Sequence, residues 1–217
     1  MARIAFIGGT GPEGMGLALR FAAAGDEVII GSRSRERGEA AAAELRGLLP
    51  EARVSGADNA AAAEQGEIVV VAVPYEGQRA TLEALRPQIG GKIVVDVVVP
   101  LVFEKGKPPR TAAVPEGSAA EEAQAVLPLA RVVGAFHNLS ATVLKDLSQP
   151  VDADVLVCGD DAEAKAYTME LAGKLAGARG VDAGPLANAR YVEDITALLL
   201  YINRRYKAHS GIRIVGV

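Results

Sequence analysis

The stretch Ile7-Gly8-Gly9-Thr10-Gly11-Pro12-Glu13-Gly14 decides the fold. It follows the apolar run Arg3–Ile7 without a break and opens an alanine-rich stretch of helical spacing, so a buried strand turns through glycines into a helix. Gly9 permits the tight turn, Gly11 lets the backbone approach a pyrophosphate, and Gly14 lets the helix pack close to the strand. Phosphates would then meet the helix N-terminus, where free N–H groups and the dipole favour an anion. Thr10 and Pro12 complete the loop, and Gly8 and Gly16 add room. Glu13 is its odd member, a carboxylate that suits the dipole of a first turn and is free to point to solvent. A glycine turn that binds nothing is the competing reading, against which the flanking strand and helix both weigh.

Working outward, the second strand ends Val28-Ile29-Ile30-Gly31-Ser32-Arg33-Ser34, about where an NAD-binding chain carries an acidic residue for the ribose 2′-hydroxyl. No carboxylate stands there. Ser32, Arg33, Arg35 and Arg37 instead supply hydroxyl and guanidinium donors suited to a 2′-phosphate, so NADP(H) is the expected nucleotide. Arg35 and Arg37 can equally begin a solvated helix; Arg33 directly follows the strand.

Glycine-bounded apolar runs alternate with helical stretches through the rest of the chain. Strands are expected at Arg3–Ile7, Glu27–Gly31, Val54–Gly56, Ile68–Val73, Ile93–Val97, Val132–Phe136 and Val155–Cys158, with weaker ones at Gly180–Asp182 and Ile212–Val215. Helices fit at Gly14–Ala24, Arg35–Leu48, Glu76–Leu85 (stopped by Pro87), Ser118–Val126, Ala162–Leu175, and from about Asn188 to Tyr206. The alternation predicts an α/β fold, a Rossmann-type doubly wound parallel sheet over residues 1–150, with a small C-terminal α/β domain at 151–217 closing a cleft. Two stretches break it. Val99–Pro115 is rich in proline and reads either as a surface loop or as a substrate lid, and His137–Pro150 marks where the chain leaves the dinucleotide domain.

Composition narrows the function. A formal net charge of -4 offers no footprint for nucleic acid. The single cysteine, Cys158, cannot form an internal disulfide and suits a reducing cytoplasm. No apolar run approaches the roughly 20 residues of a spanning helix, and the first strand starts almost at Met1, so no membrane partner, no signal peptide and a cytoplasmic location are expected.

Ligands of such sheets lie at the carboxyl ends of the strands, which points to Val73-Pro74-Tyr75-Glu76, to Asp96–Leu101 with Val99, and to Phe136-His137-Asn138-Leu139. No nucleophile triad or metal-ligand spacing accompanies them, as suits a reaction in which the cofactors carry the chemistry and the protein aligns them. His137 either orients the hydride acceptor or caps the loop through its own backbone. Arg190, Arg204, Arg205 and Lys207 either complement the last helix's dipole or anchor an anionic tail; Ala197–Leu200 reads as core or dimer seam, and His209 as surface.

Ile7-Gly8-Gly9-Thr10-Gly11 with Gly14, Gly31-Ser32-Arg33, Val73-Pro74-Tyr75-Glu76, Ser118-Ala119-Ala120-Glu121, Cys158-Gly159-Asp160-Asp161 and Asp182-Ala183-Gly184-Pro185-Leu186 together resemble NADPH-dependent coenzyme F420 reductases, the F420H2:NADP oxidoreductases, over essentially the whole chain. The resemblance implies reversible hydride transfer between the nicotinamide C4 and C5 of the deazaflavin coenzyme F420, in a cleft between the two domains of a homodimer. It assigns Thr10, Ser32, Arg33 and Arg37 to NADP and places Phe136, His137 and Asn138 beside the deazaflavin. Tyr75, Gly77 and Asp96 depart from the family's pattern. The rival readings are an NADPH-dependent flavin or ferric reductase, an imine or 2-hydroxyacid reductase, for which the C-terminal part is short, and a non-catalytic NADPH-sensing protein.

Overall fold

The computed structural model describes residues Met1–Val217. Its elements run β1 (Arg3–Ile7), α1 (Pro12–Ala23), β2 (Glu27–Ser32), α2 (Arg35–Leu48), β3 (Val54–Asp58), α3 (Asn59–Gln65), β4 (Ile68–Val71), α4 (Tyr75–Ile89), β5 (Ile93–Asp96), β6 (Leu101–Val102), β7 (Arg110–Thr111), α5 (Ala119–Val126), β8 (Arg131–Gly134), α6 (Ala141–Lys145), β9 (Asp154–Gly159), α7 (Ala162–Gly173), β10 (Arg179–Asp182) and α8 (Ala189–Tyr206). Eight strands form one sheet in the order β10-β9-β8-β5-β4-β1-β2-β3. All neighbours are parallel except β8 and β9, which meet antiparallel through Val133↔Gly159 and Gly134↔Cys158. The strand order reverses between β1 and β4, which opens a crevice at their carboxyl ends.

Both faces of the central strands are buried, hence their unbroken Val/Ile runs. In β1, Ile4 and Phe6 join the layer of α1, α2 and α7, while Ala5 and Ile7 join the layer of α3, α4, α5 and the start of α8. The expected division at residue 150 falls between α6 and β9, and the sheet continues across it.

Two expectations of local structure are corrected and further elements are added. α4 runs on to Ile89 with Pro87 inside it, because a proline in a final turn loses little ladder; Gly90, at φ 54°, ends the helix. Ile212–Val215 is not a strand: one bond, from Asp154 N–H to Ile212 O, and side-chain contacts hold it instead of a ladder. The Val99–Pro115 segment contains a two-stranded hairpin, β6 with β7. Two short helices escaped the pattern. α3 carried a readable signal, the cap Asp58 accepting from Ala61 N–H ahead of four alanines. α6 carried none, and only its packing on α1 explains it: a Cβ on Gly16 would lie 2.7 Å from Leu144 Cβ.

Candidate functional site

The glycine loop is pinned between the first two strands by Gly9 N–H donating to Gly31 O at 3.0 Å. A Cβ on Gly9 would fall 2.7 Å from Phe6 Cβ, and one on Gly14 would fall 2.9 Å from Gly9 Cα, so the protein's own packing closes both positions to larger residues. Gly11 differs. A Cβ there would meet nothing nearer than Gly8 O at 3.9 Å, an ordinary contact, so its bareness leaves room for something outside the protein. Gly11 caps α1 and Pro12 occupies the first turn, where its missing N–H costs nothing. The next N–H groups, Glu13 and Gly14 among them, lie at the positive end of the helix and suit an anion. Thr10 is half-buried on the same loop.

At the end of β2, Ser32 is buried, whereas Arg33, Arg35 and Arg37 are exposed. None of the three guanidiniums engages a carboxylate or a carbonyl; the side-chain hydrogen bond in this turn is the helix cap, Arg37 N–H to Ser34 Oγ. Three cations without a carboxylate partner thus follow the strand that holds the glycine loop, a charge arrangement suited to an anion.

The crevice holds a cavity of about 750 Å³, of the size that takes a cofactor ring. Its walls are Glu13 of α1, Ala72 and Val73 after β4, Val97–Val99 after β5, Leu101, the turn His137–Ser140 and the start of α6. One face of α8, with Thr196, Leu199, Leu200 and Asn203, and the tail Lys207–Ser210 complete them. Of the 21 residues that line it, 11 are hydrophobic and the rest are polar or charged.

Two of those polar groups are ionisable and unpartnered. Glu13 Oε1 is buried without a hydrogen bond, and burial lifts the carboxyl to about 8. His137 is 4% exposed, both ring nitrogens lack partners, and burial holds its pKa down to about 4, so the ring is a neutral imidazole at neutral pH. Thr196 Oγ1 donates to the His137 carbonyl at 2.8 Å and fixes the turn against α8.

The structure sorts the remaining expected residues. Val73 and Val99 line the cavity. Pro74 is exposed at the N-cap of α4, and Tyr75 leans toward Glu122 and Glu116, which with burial raise its phenol pKa. Asn138 lines the cavity but also serves as a strut, its Nδ2 donating to Asp154 O at 2.7 Å. Phe136 does not line it: the chain takes φ 66° there and drives the ring edge-on into Phe21, centroids 5.9 Å apart. Past that left-handed residue, His137 and Asn138 are buried but border the cavity.

Three contributors were missed from sequence. Arg20 of α1 is buried and donates to the carbonyls of Val143, Leu144, Asp146 and Gln149 at 2.6–2.9 Å, clasping the end of α6 behind the cavity wall. Thr196 had no signal at all. The tail folds back after Lys207, at φ 52°, so that His209, read as surface, stands at the cavity's edge; Ser210 donates to Asn203 Oδ1 from both its N–H and hydroxyl at 2.6 Å. Of the four C-terminal cations, only Lys207 lines the cavity.

Residues 3–100 match the family model described as NADP oxidoreductase, coenzyme F420-dependent. The chain is 44% identical to the F420-dependent NADP reductase of Methanocaldococcus jannaschii, over 99% of both chains. It is 43% identical to the enzyme of that name from Methanothermobacter thermautotrophicus, over 99% of this chain and 95% of the other. A crystal structure of a candidate F420-dependent NADP reductase from Arthrobacter sp. FB24 superposes with a TM-score of 0.85 at 30% identity, each chain covered in full.

Proposed function

The chain belongs to the coenzyme F420-dependent NADP oxidoreductases, and from that premise we propose that it moves a hydride reversibly between NADP(H) and the deazaflavin of coenzyme F420 across the 750 Å³ cavity. The carrying observation is an open glycine loop, with arginines that have no carboxylate partner at the end of the adjoining strand, whose Glu13 forms part of the wall of a ring-sized chamber. Bare Gly11 and the start of α1 take the pyrophosphate, while Thr10, Ser32, Arg33 and Arg37 take the 2′-phosphoribose. When bound, the nicotinamide supplies the hydride and the deazaflavin accepts it.

The protein's part is alignment and exclusion of water. Val73 and Val99 support one ring from the strand ends, and α8 with the tail covers the other side. His137 offers a neutral imidazole to the chamber, a hydrogen-bonding group that adds no charge. Lys207 is placed to meet an anionic coenzyme tail. Residues 151–217 thus act as the unit that closes the cleft. Tyr191, Leu198 and Tyr201 lie exposed on one stripe of α8, which supports a homodimer with that helix in its seam. A single buried thiol, Cys158, accords with a cytoplasmic location. No helix is long and apolar enough to cross a membrane.

The test uses NADPH deuterated on one face of the nicotinamide C4, with coenzyme F420 as acceptor. Label is expected at C5 of the deazaflavin without exchange with water. Turnover with flavin mononucleotide or a ferric chelate but not F420, or binding of NADPH with no turnover, would replace this reading with a flavin or ferric reductase or with a sensor.

A further inference from the structure

Asp96 and His137 are buried polar groups whose bonds do not account for them. Asp96 ends β5 fully shielded from solvent; its Oδ1 accepts from Val98 N–H at 3.1 Å and its Oδ2 has no partner. Both nitrogens of His137 are likewise unpartnered. Leaving such atoms unpaired in an interior is costly, so their company matters.

The sheet makes them neighbours. Asp96 pairs in register with Gly134 of β8, and paired residues of parallel strands present their side chains to the same face. Val94 and Val132, one pair two residues earlier, identify that face as the layer of α5 and the start of α8. A Cβ on Gly134 would lie 3.3 Å from His137 Cε1, so the ring rests over the glycine that is the register partner of Asp96. The Cβ atoms of Ala120 and Ala189 approach the same spot as closely. Two further carboxylates face it: Glu193 of α8 accepts from the N–H groups of Ala119 and Ala120, and Glu122 of α5 pairs with Arg79.

Burial first, then Glu193 and Glu122, push the Asp96 carboxyl well above the usual range, while burial keeps the imidazole neutral. A carboxylic acid with a proton to give therefore stands beside a ring with a bare nitrogen to receive it. We propose that Asp96 is a positioning residue for His137: its Oδ2–H donates to one imidazole nitrogen, which fixes the tautomer and presents the other nitrogen to the cavity as an N–H donor. The bond closes by rotation about the terminal torsion of either side chain, which is soft in both. No charge is created: the proton stays on Asp96, and the imidazole accepts the hydrogen bond as a neutral ring. The role assigned to that outer N–H, donation to an acceptor atom of the deazaflavin, rests on the proposed function; the Asp96–His137 pair does not.

His137 and His209 are the only histidines, so in a His209→Gln background the ¹⁵N shifts of a single imidazole report its tautomer with no coenzyme present. One protonated and one bare, hydrogen-bonded nitrogen are expected. Asp96→Asn should keep this pattern, since its Oδ1 can hold Val98 while its amide N–H replaces the donor; Asp96→Val should lose it and average the tautomers. Circular dichroism verifies each fold. With NADPH and coenzyme F420, on otherwise unaltered protein, Asp96→Val is expected to lower kcat roughly tenfold with the KM for NADPH unchanged, and Asp96→Asn to stay within about threefold of the parent. Asp96→Val/His137→Ala should be no worse than His137→Ala alone. Averaged tautomers in the parent protein, ¹⁵N shifts indifferent to Asp96→Val, an Asp96→Asn as impaired as Asp96→Val, or additive losses would each overturn the proposal. Absence of F420 turnover in the parent protein would defeat the proposed function instead, and the ¹⁵N spectra would still decide the pair.

Discussion

The proposed nucleotide site turns on two side chains, Arg33 and Glu13. Arg33 is exposed, directly follows β2 and has no carboxylate partner, so its guanidinium is free for a group that NADPH carries and NADH lacks. A charge-assisted hydrogen bond of this kind contributes roughly 1.5–3 kcal/mol, so Arg33→Ala is expected to cut the NADPH-over-NADH affinity ratio by about one to two orders of magnitude. Titration of both nucleotides checks it, and equal loss for the two would remove Arg33 from the site. Glu13 works in the opposite sense. Its folded pKa, about 8, lies above the ordinary 4.5, so it remains protonated in the folded protein where the unfolded chain has lost the proton. Its stabilising contribution is full below pH 4.5 and is lost as pH rises to about 8. Above that a carboxylate stands in the glycine loop, and its repulsion of a phosphate charge about 4 Å away in water would be ~1 kcal/mol, about fivefold in Kd. NADPH affinity should therefore fall as pH passes through about 8, and Glu13→Gln should flatten that fall. A profile identical in the variant would show that another group sets it.

Among the elements, the short helix α6 depends most on a distant partner. Five residues make little helix alone, and what holds α6 in the cavity wall is Gly16, which lets α1 cross it closely, and the buried Arg20, whose guanidinium takes four carbonyls at and beyond its end. Arg20→Met keeps the stem and removes the donors, leaving those carbonyls without their partner. A loss of about 2–4 kcal/mol in unfolding free energy is expected from denaturant titration. Because α6 lines the cavity, the KM for the deazaflavin should rise with it. Stability equal to the parent's would mean that water replaces the clasp at no cost. The glycine loop and β2 were readable beforehand because their chemistry is local: a strand, three spaced glycines and arginines in one turn lie within about forty residues of chain. α6 was not readable, since neither residue that secures it lies near it in sequence.

For the whole molecule, α8 joins three functions: one face walls the cavity, Glu193 caps α5, and the exposed stripe of Tyr191, Leu198 and Tyr201 awaits a cover. Leu198→Glu places a charge in the proposed seam without touching the cavity-lining face, and is expected to convert a dimer to monomer by light scattering while leaving the far-ultraviolet dichroism intact. An unchanged mass would move the seam elsewhere. Beyond α8, the tail is tied to the sheet by Asp154, whose fully buried carboxylate accepts from Arg179, Arg213 and Ile214 N–H. The sequence by itself determined the α/β alternation, the phosphate loop and the preference for a 2′-phosphate, because periodicity, backbone freedom and side-chain charge are carried by the residues themselves. Only the tertiary structure decided that Phe136 packs against Phe21 while His137 lines the cavity, that Glu13 is desolvated, that the tail lines the chamber, and that Asp96 and the His137 ring share Gly134 as a neighbour. Burial and neighbours belong to the packing: Arg20 meets the Leu144 carbonyl across 124 positions of chain, a meeting that only the closed sheet and its covering helices bring about.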